Sequence, residues 1–238
     1  MSGGTMPEAV RILTLASAAA RAAGAVVRET WHSGDIRVNA REHHDVKLVA
    51  DVAAERTITD MIRAQRPQDG ILAEESGADA TDRDGVWIVD PLDGTVNFSH
   101  GHPHFAVSLA WAWRGRIEVG VIYDPLRDEL FSAMRGGGAH CNGRPIKCAG
   151  TDSLRDAMIA VGLGRFISGE ALCADLVQLA NTVQKVRIAG SAALDLAYTA
   201  CGRLDAYYEQ RVFLWDLAAG MLLIEEAGGV VYWWPQPR

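Results

Sequence analysis

The sequence predicts a layered α/β sandwich, and three observations support that prediction. Apolar residues recur at helical spacing near the N-terminus, strand-like segments follow one another between residues 105 and 134, and strand and helix signals alternate from residue 151 onward. The 238 residues, 49% hydrophobic and 22% charged, can bury a core, which excludes a disordered or collagen-like chain. Because no linker rich in proline, glycine or serine interrupts residues 1–238, we interpret them as a single domain with halves of about 1–148 and 149–238.

The first predicted element is an amphipathic helix. Pro7 and Glu8 suit its first turn, and an apolar stripe extends to Val27. Residues 12–27 are apolar, but they include Arg21 and are too short and too weakly hydrophobic to span a bilayer, and they lack the features of a signal peptide. We therefore expect a helix of a soluble protein and no membrane association.

The next segments are predicted from local patterns. Residues 36–38 indicate a short strand and the polar residues 39–45 a mobile loop, and an amphipathic helix over 51–64 must end before Pro67. Two apolar strands then stop at carboxylates, three further strands form an antiparallel meander, and βα units follow. These predicted strands are 70–73, 86–89, 105–113, 117–123, 129–134, 157–161, 186–188 and 206–208, and the helices are 170–182, 191–202 and 216–227.

Charge and cysteine content exclude several classes of protein. Thirty acidic against 23 basic residues give a net charge of −7 without a basic cluster, which argues against a nucleic-acid binder. The four cysteines are scattered, so neither a zinc site nor a disulfide framework is indicated, and a reducing cytoplasm fits best.

Carboxylates at strand ends are the strongest functional signal. Asp90 and Asp93 follow a buried-looking strand, flank Pro91 and precede Gly94-Thr95, which can open a helix with free backbone N–H groups. The other pair with this spacing, Asp79 and Asp82, lies in a polar stretch that indicates a solvated loop. Glu74 ends another strand, and Asp216 stands at the start of the last helix, where helix capping alone could explain it. Hard oxygen ligands without nearby Cys or His favour Mg²⁺, with Mn²⁺ as an alternative, and indicate a metal-dependent phosphate site.

Four sequence blocks resemble the signatures of the inositol monophosphatase family, in its order and approximate spacing from about residue 7 to 230. The blocks are Glu74-Glu75-Ser76, Asp90-Pro91-Leu92-Asp93-Gly94-Thr95-Val96-Asn97-Phe98, Gly190-Ser191-Ala192-Ala193, and Trp215-Asp216 with Glu226-Ala227-Gly228-Gly229. The resemblance implies an α-β-α-β-α sandwich with mixed and antiparallel sheets, shared with fructose-1,6-bisphosphatase. It also implies Mg²⁺-dependent phosphomonoester hydrolysis, frequent lithium sensitivity and commonly a homodimer.

The resemblance also assigns roles to residues that match the family's motifs. It implies that Asp51 and Thr95, together with Glu74 at the metal site, serve catalysis by orienting and deprotonating a metal-bound water for direct in-line attack on phosphorus. The implied metal ligands are Glu74, Asp90, the carbonyl of Leu92, Asp93 and Asp216, and the implied substrate contacts are Asp93, Gly94, Thr95, Ala193, Glu209 and Asp216.

The number of metal ions follows from charge. The four ligand carboxylates are neutralised by two Mg²⁺, and a phosphate dianion then favours a third ion. Because uncompensated charge is costly in a partly dry site, we expect the last ion to bind weakly and mainly with substrate.

The substrate is less constrained than the chemistry. Inositol monophosphate or a similar small polyol phosphate is the leading candidate substrate, because Glu209 favours a neutral hydroxylated leaving group. Histidinol phosphate, fructose-1,6-bisphosphate and 3′-phosphoadenosine 5′-phosphate are alternatives. A catalytically silent binding or regulatory homologue is the non-enzymatic alternative, although such a protein would be expected to have lost a ligand.

Two features fall outside the resemblance. His100, His102 and His104 lie in a predicted loop and favour a polar or substrate-rim role over metal binding. The family usually continues beyond Gly229 through further strand and a closing helix, whereas here the sequence printed ends at Arg238, and Trp233 and Trp234 are expected to cap a sheet edge or join a dimer contact.

Overall fold

The computed structural model describes residues 8–34, 38–42, 45–164 and 169–232, and it contains helices on both sides of a large sheet. The described helices are α1 Glu8–Ser33, α2 Val49–Gln65, α3 Thr95–Ser99, α4 Gly169–Thr182, α5 Ala192–Ala200 and α6 Leu214–Glu226, with a 3₁₀ turn at Leu154–Asp156. The described strands are β1 Val38–Glu42, β2 Asp45–Leu48, β3 Gly70–Ala73, β4 Gly77–Asp79, β5 Gly85–Asp93, β6 Ala106–Trp113, β7 Arg116–Asp124, β8 Glu129–Met134, β9 Gly138–Cys141, β10 Arg144–Pro145, β11 Met158–Val161, β12 Lys185–Arg187 and β13 Ala206–Tyr208.

The strands form three sheets. Eight strands pair in the order β10-β9-β8-β7-β6-β5-β3-β4, where only β3 and β5 are parallel and the stretch from β5 to β10 is an antiparallel meander. A second, parallel sheet has the order β12-β11-β13, and β1 and β2 form an antiparallel hairpin. The parallel β3 and β5 bring their carboxyl ends to one edge, which is where the acidic residues follow.

Helices and sheets alternate in layers. One core lies between α1, α2 and the large sheet, with Ile58, Trp87 and Leu109 at its centre. A second core joins the opposite face of this sheet to α5 and α6, and a third joins the small sheet to α4. Contacts of α5 with β13 place α5 and α6 between the sheets. The predicted α-β-α-β-α sandwich is therefore confirmed.

Helix α1 is longer than the sequence analysis allowed. It extends over 26 residues, beyond the apolar residues 12–27, and by length and composition alone a helix of this length could cross a membrane. Its apolar residues pack against α2 and the large sheet instead, with Ala16, Ala20 and Val27 fully buried. The helix is part of a globular core.

The predicted loop at 39–45 is also wrong where the structure describes it. Residues 38–42 and 45–48 pair as a hairpin, and α2 begins at Val49 directly after it. A hairpin ladder is held by backbone hydrogen bonds, which polar residues form as well as apolar ones. Residues 36–37, His43, His44, Trp233 and Trp234 lie outside the described residues.

Candidate active site

Three carboxylates from two separate elements meet in one place. Asp90 and Asp93 stand at the end of β5, and Asp216 lies in the first turn of α6; each offers one oxygen within 4.8 Å of the others. Glu74, directly after β3, lies close enough to Asp90 to raise its pKa, and it lines the same cavity. The structure thus brings together all four acids that the sequence analysis assigned to the metal site.

The electrostatics of this cluster fit a divalent cation. Burial, with Glu74 as the next cause, raises the pKa of Asp90 well above its usual range. Burial and the Asp216 charge raise the pKa of Asp93 to about 7, and burial and the Glu74 charge raise the pKa of Asp216 to about 7. Like charges this close are unfavourable unless protons or a cation compensate them. An all-oxygen set is the donor chemistry that Mg²⁺ prefers.

A tight turn after β5 supplies the other predicted groups. The Leu92 N–H donates to Asp90 Oδ1 (3.0 Å), and the Thr95 hydroxyl donates to the Leu92 carbonyl (2.9 Å). Gly94 has φ of 91°, and a Cβ there would lie 2.9 Å from the His104 carbonyl oxygen, so only glycine fits. Leu92, Gly94 and Thr95 all line the cavity beside the carboxylates.

The start of α5 holds Asp93 in place. The Ser191 hydroxyl and the Ala193 N–H both donate to Asp93 Oδ2, at 2.5 and 2.8 Å. Ala193 is fully buried, it is not among the residues that line the cavity, and its N–H supports Asp93; its contact with the alcohol portion of a substrate stays a prediction. Its neighbours Ser191 and Ala192 line the cavity instead.

Asp216 has two roles in the structure. Its Oδ2 accepts a hydrogen bond from the Phe213 N–H (3.1 Å), which caps α6, and its carboxylate also faces the acidic cluster. The capping alternative and the metal-site assignment are therefore compatible.

The cavity measures about 580 Å³, a volume typical of small-molecule sites, and Glu209 lies in its wall. Its lining combines acids, backbone of the β5–α3 turn, and apolar side chains. The lining includes Glu74, Asp90, Leu92, Asp93, Gly94, Thr95, Gly162, Gly164, Tyr207, Glu209 and Asp216.

Two sets of predicted residues lie elsewhere. Asp51 is buried in the first turn of α2, where Oδ2 accepts from the Leu48 N–H (2.7 Å), and it does not line the cavity. His100, His102 and His104 do not line it either, and their polar or substrate-rim role stays a prediction. His104 is buried, and its Nε2 lies 3.2 Å from Asp195 Oδ1.

Glu55 is a supporting residue that the sequence analysis missed. This buried side chain of α2 accepts from the N–H groups of Glu75 (2.9 Å) and Ser76 (3.0 Å), immediately after Glu74. An acid on the apolar face of a helix is the sequence signal that could have indicated it, since buried acids are held by donors.

Comparison with known proteins shows which family the chain belongs to. The inositol monophosphatase family profile matches residues 8–236. The chain belongs to the inositol monophosphatase family. The "Nus factor SuhB" of Escherichia coli K12 is 43% identical over 224 residues, covering 92% of this chain and 84% of that protein. The "Inositol-1-monophosphatase" of Mesorhizobium japonicum is 43% identical over 230 residues, covering 95% and 86%.

Solved structures give the same family fold. The crystal structure of extragenic suppressor protein suhB from Bartonella henselae matches with a TM-score of 0.88 and 39% identity, covering 92% of this chain and 85% of that one. Both the sequence and the fold therefore place the chain in the inositol monophosphatase family.

Proposed function

We propose that the protein is a Mg²⁺-dependent phosphomonoesterase for inositol monophosphate or a similar small polyol phosphate. The convergence of Glu74, Asp90, Asp93 and Asp216 beside the β5–α3 turn is the observation that supports it. Membership in a family of phosphatases, and 43% identity to a protein named inositol-1-monophosphatase, support the same reaction class.

Each part of the cavity has a proposed role. Glu74, Asp90, Asp93, Asp216 and the Leu92 carbonyl would hold two or three Mg²⁺, which when bound supply charge stabilisation and a more acidic water. The Gly94 and Thr95 amides would bind the phosphate, and Thr95 would orient the attacking water. Asp51 is proposed as the partner of Thr95 on the sequence match alone, because it does not line the cavity.

Replacing Asp93 tests the proposal. The substitution Asp93→Asn removes a ligand charge but little volume, so we expect a normally folded protein with more than about 100-fold lower Mg²⁺-dependent phosphate release. The estimate follows because losing a group that merely supports a ligand already costs about 10- to 100-fold. Phosphate release from inositol 1-phosphate, with and without Mg²⁺, measures it.

Asp82→Asn is the matched control, since Asp82 belongs to the other pair of aspartates with this spacing and is exposed outside the cavity. Wild-type activity is expected for it. Unchanged turnover in Asp93→Asn would overturn the proposed function.

Partner binding of the kind that the name Nus factor denotes is a second candidate, supported by the 43% identity to the Escherichia coli protein of that name. The two functions separate in the same Asp93→Asn variant. If the variant lacks phosphatase activity but still replaces the wild-type protein in cells, the cellular role is partner binding.

A further inference from the structure

Two donors fix the carboxylate of Glu209 in the cavity wall. The Tyr207 hydroxyl donates to Glu209 Oε2, and the Gly164 N–H donates to Oε1 at 3.0 Å. Tyr207, Gly164 and Glu209 all line the cavity. Each carboxylate oxygen is therefore oriented by a donor from the protein.

The space for this carboxylate is left by a glycine. Gly162 continues the pairing of β11 with β13, since its N–H donates to the Tyr208 carbonyl (2.9 Å). A Cβ at Gly162 would overlap the Glu209 carboxylate. The position of Glu209 thus depends on the absence of a side chain at one residue and on the hydroxyl of another.

Tyr207 and Tyr208 are neighbours with different partners. Tyr207 packs against the core that contains α5 and α6, whereas Tyr208 packs against the core beneath α4 and donates to Asp175 (3.0 Å). Successive residues of a strand point to opposite faces, so one tyrosine supports Glu209 and the next does not. The pair offers a matched comparison within a single strand.

The chemistry of a carboxylate held in this way selects hydroxyl groups. An ionised carboxylate is an acceptor with about four lone-pair sites, so it binds O–H donors and repels anionic groups. Burial and the Glu209 charge raise the pKa of Tyr207, which keeps this phenol a donor. The geometry of the wall, set by Tyr207 and Gly162, defines where a substrate hydroxyl can be accepted.

We propose that Tyr207 is a positioning residue that holds Glu209 to accept a hydrogen bond from a hydroxyl of the leaving alcohol. The enzyme then prefers polyol phosphates to phosphates of alcohols without a further hydroxyl. This inference rests on the proposed phosphatase function.

The test compares two substrates, inositol 1-phosphate and phenyl phosphate, in wild type, Tyr207→Phe and Tyr208→Phe. For Tyr207→Phe we expect kcat/KM for inositol 1-phosphate to fall about tenfold, mainly through KM, because a hydrogen bond to a charged group is lost. Hydrolysis of phenyl phosphate should stay within twofold. Tyr208→Phe should leave the ratio of the two kcat/KM values unchanged.

Two further variants separate positioning from general damage. Gly162→Ala should shift the substrate ratio in the same direction, since it displaces the same carboxylate, and it decides the question if Tyr207→Phe does not fold. In a Glu209→Gln background, Tyr207→Phe should have no additional effect on the ratio, because residues that act through each other are not additive.

The outcomes distinguish failure of the Tyr207 positioning role from failure of the proposed phosphatase function. Equal losses for both substrates, or a Tyr207→Phe effect that persists in the Glu209→Gln background, would refute the positioning role alone. Failure of wild type to release phosphate from either substrate with Mg²⁺ would refute the phosphatase function and the inference with it.

Discussion

Asp93 owes its position to residues far away in the chain. Both donors to its Oδ2, the Ser191 hydroxyl and the Ala193 N–H, come from the start of α5, 98 and 100 positions later. Ser191 also accepts from the Leu194 N–H (3.4 Å) as the N-cap of α5. The serine therefore joins the stability of a helix to the orientation of a metal-site carboxylate.

Replacing Ser191 should affect both properties. Ser191→Ala is expected to lower stability by about 1 kcal/mol through the lost cap, and to weaken Mg²⁺ binding about 10- to 100-fold because Asp93 loses a donor. Calorimetric titration with Mg²⁺ and thermal unfolding measure the two effects.

Thr199→Ala is the control for Ser191→Ala. Thr199 is a buried hydroxyl residue of the same helix that donates to the Asp195 carbonyl (2.8 Å) and not to a metal-site acid. It should lose stability without losing Mg²⁺ affinity. Equal Mg²⁺ affinities for wild type and Ser191→Ala would contradict the assigned role.

These residues also show what the sequence could predict about the site. Asp90, Asp93 and Thr95 lie in one short block after a strand, and Glu74 follows another. Because the carboxyl ends of parallel strands meet at one edge, the local pattern is enough to predict that Glu74 lies near them. The support of Asp93 by Ala193, or of Glu209 by Tyr207, depends on how distant elements pack. Period-two alternation places Tyr207 and Tyr208 on opposite faces but does not say which face meets the cavity.

At the scale of elements, the close packing of α5 against α6 positions the site, because α5 carries Ser191 at its cap and α6 carries Asp216. Gly220 lies at the contact: a Cβ there would come within 2.5 Å of Leu196 Cβ. Carbon atoms in favourable contact lie about 3.5–4.0 Å apart. The helices can approach this closely only without a side chain at residue 220.

We expect Gly220→Ala to destabilise the protein by about 2 kcal/mol, because overpacking outweighs the roughly 1 kcal/mol gain in helix propensity. Displacing α6 should also weaken Mg²⁺ binding through Asp216. Val177→Ala on α4, where the residue is 61% exposed, is the control, and its stability should stay within about 0.5 kcal/mol of wild type. If urea unfolding shows Gly220→Ala to be more stable than wild type, α5 and α6 can move apart without loss of stability, which would contradict the prediction.

Helices and strands differ in how well their sequences predicted them. The amphipathic helix α2 and the meander strands β6 to β8 occur where their apolar periodicity predicts them, because burial of one face determines both pattern and structure. Residues 39–45 are polar and predict a loop, yet most of them belong to the β1–β2 hairpin. The hydropathy pattern cannot indicate a hairpin whose two strands are held together by backbone hydrogen bonds to each other.

At the scale of the molecule, the acidic cluster connects distant parts of the chain. Asp90 and Asp93 lie on the large sheet, Glu74 follows β3 of the same sheet, and Asp216 lies on α6, which stands between the sheets. A cation held by all of them would bind the folded chain and not the unfolded one. Metal binding should therefore stabilise the whole fold.

Removal of Mg²⁺ tests this coupling independently of activity. At an Mg²⁺ concentration of about 100 times Kd, one site adds about 2.7 kcal/mol to the free energy of unfolding, which for a chain of this size raises Tm by about 5–10 °C over the chelator-treated protein. Asp216→Asn should lose most of this rise, since the link from α6 to β5 is weakened, whereas Asp82→Asn should keep it. Scanning calorimetry in EDTA and in Mg²⁺, at matched ionic strength, makes the comparison. Identical Tm values in the two conditions would mean that these carboxylates do not hold a cation in the folded protein.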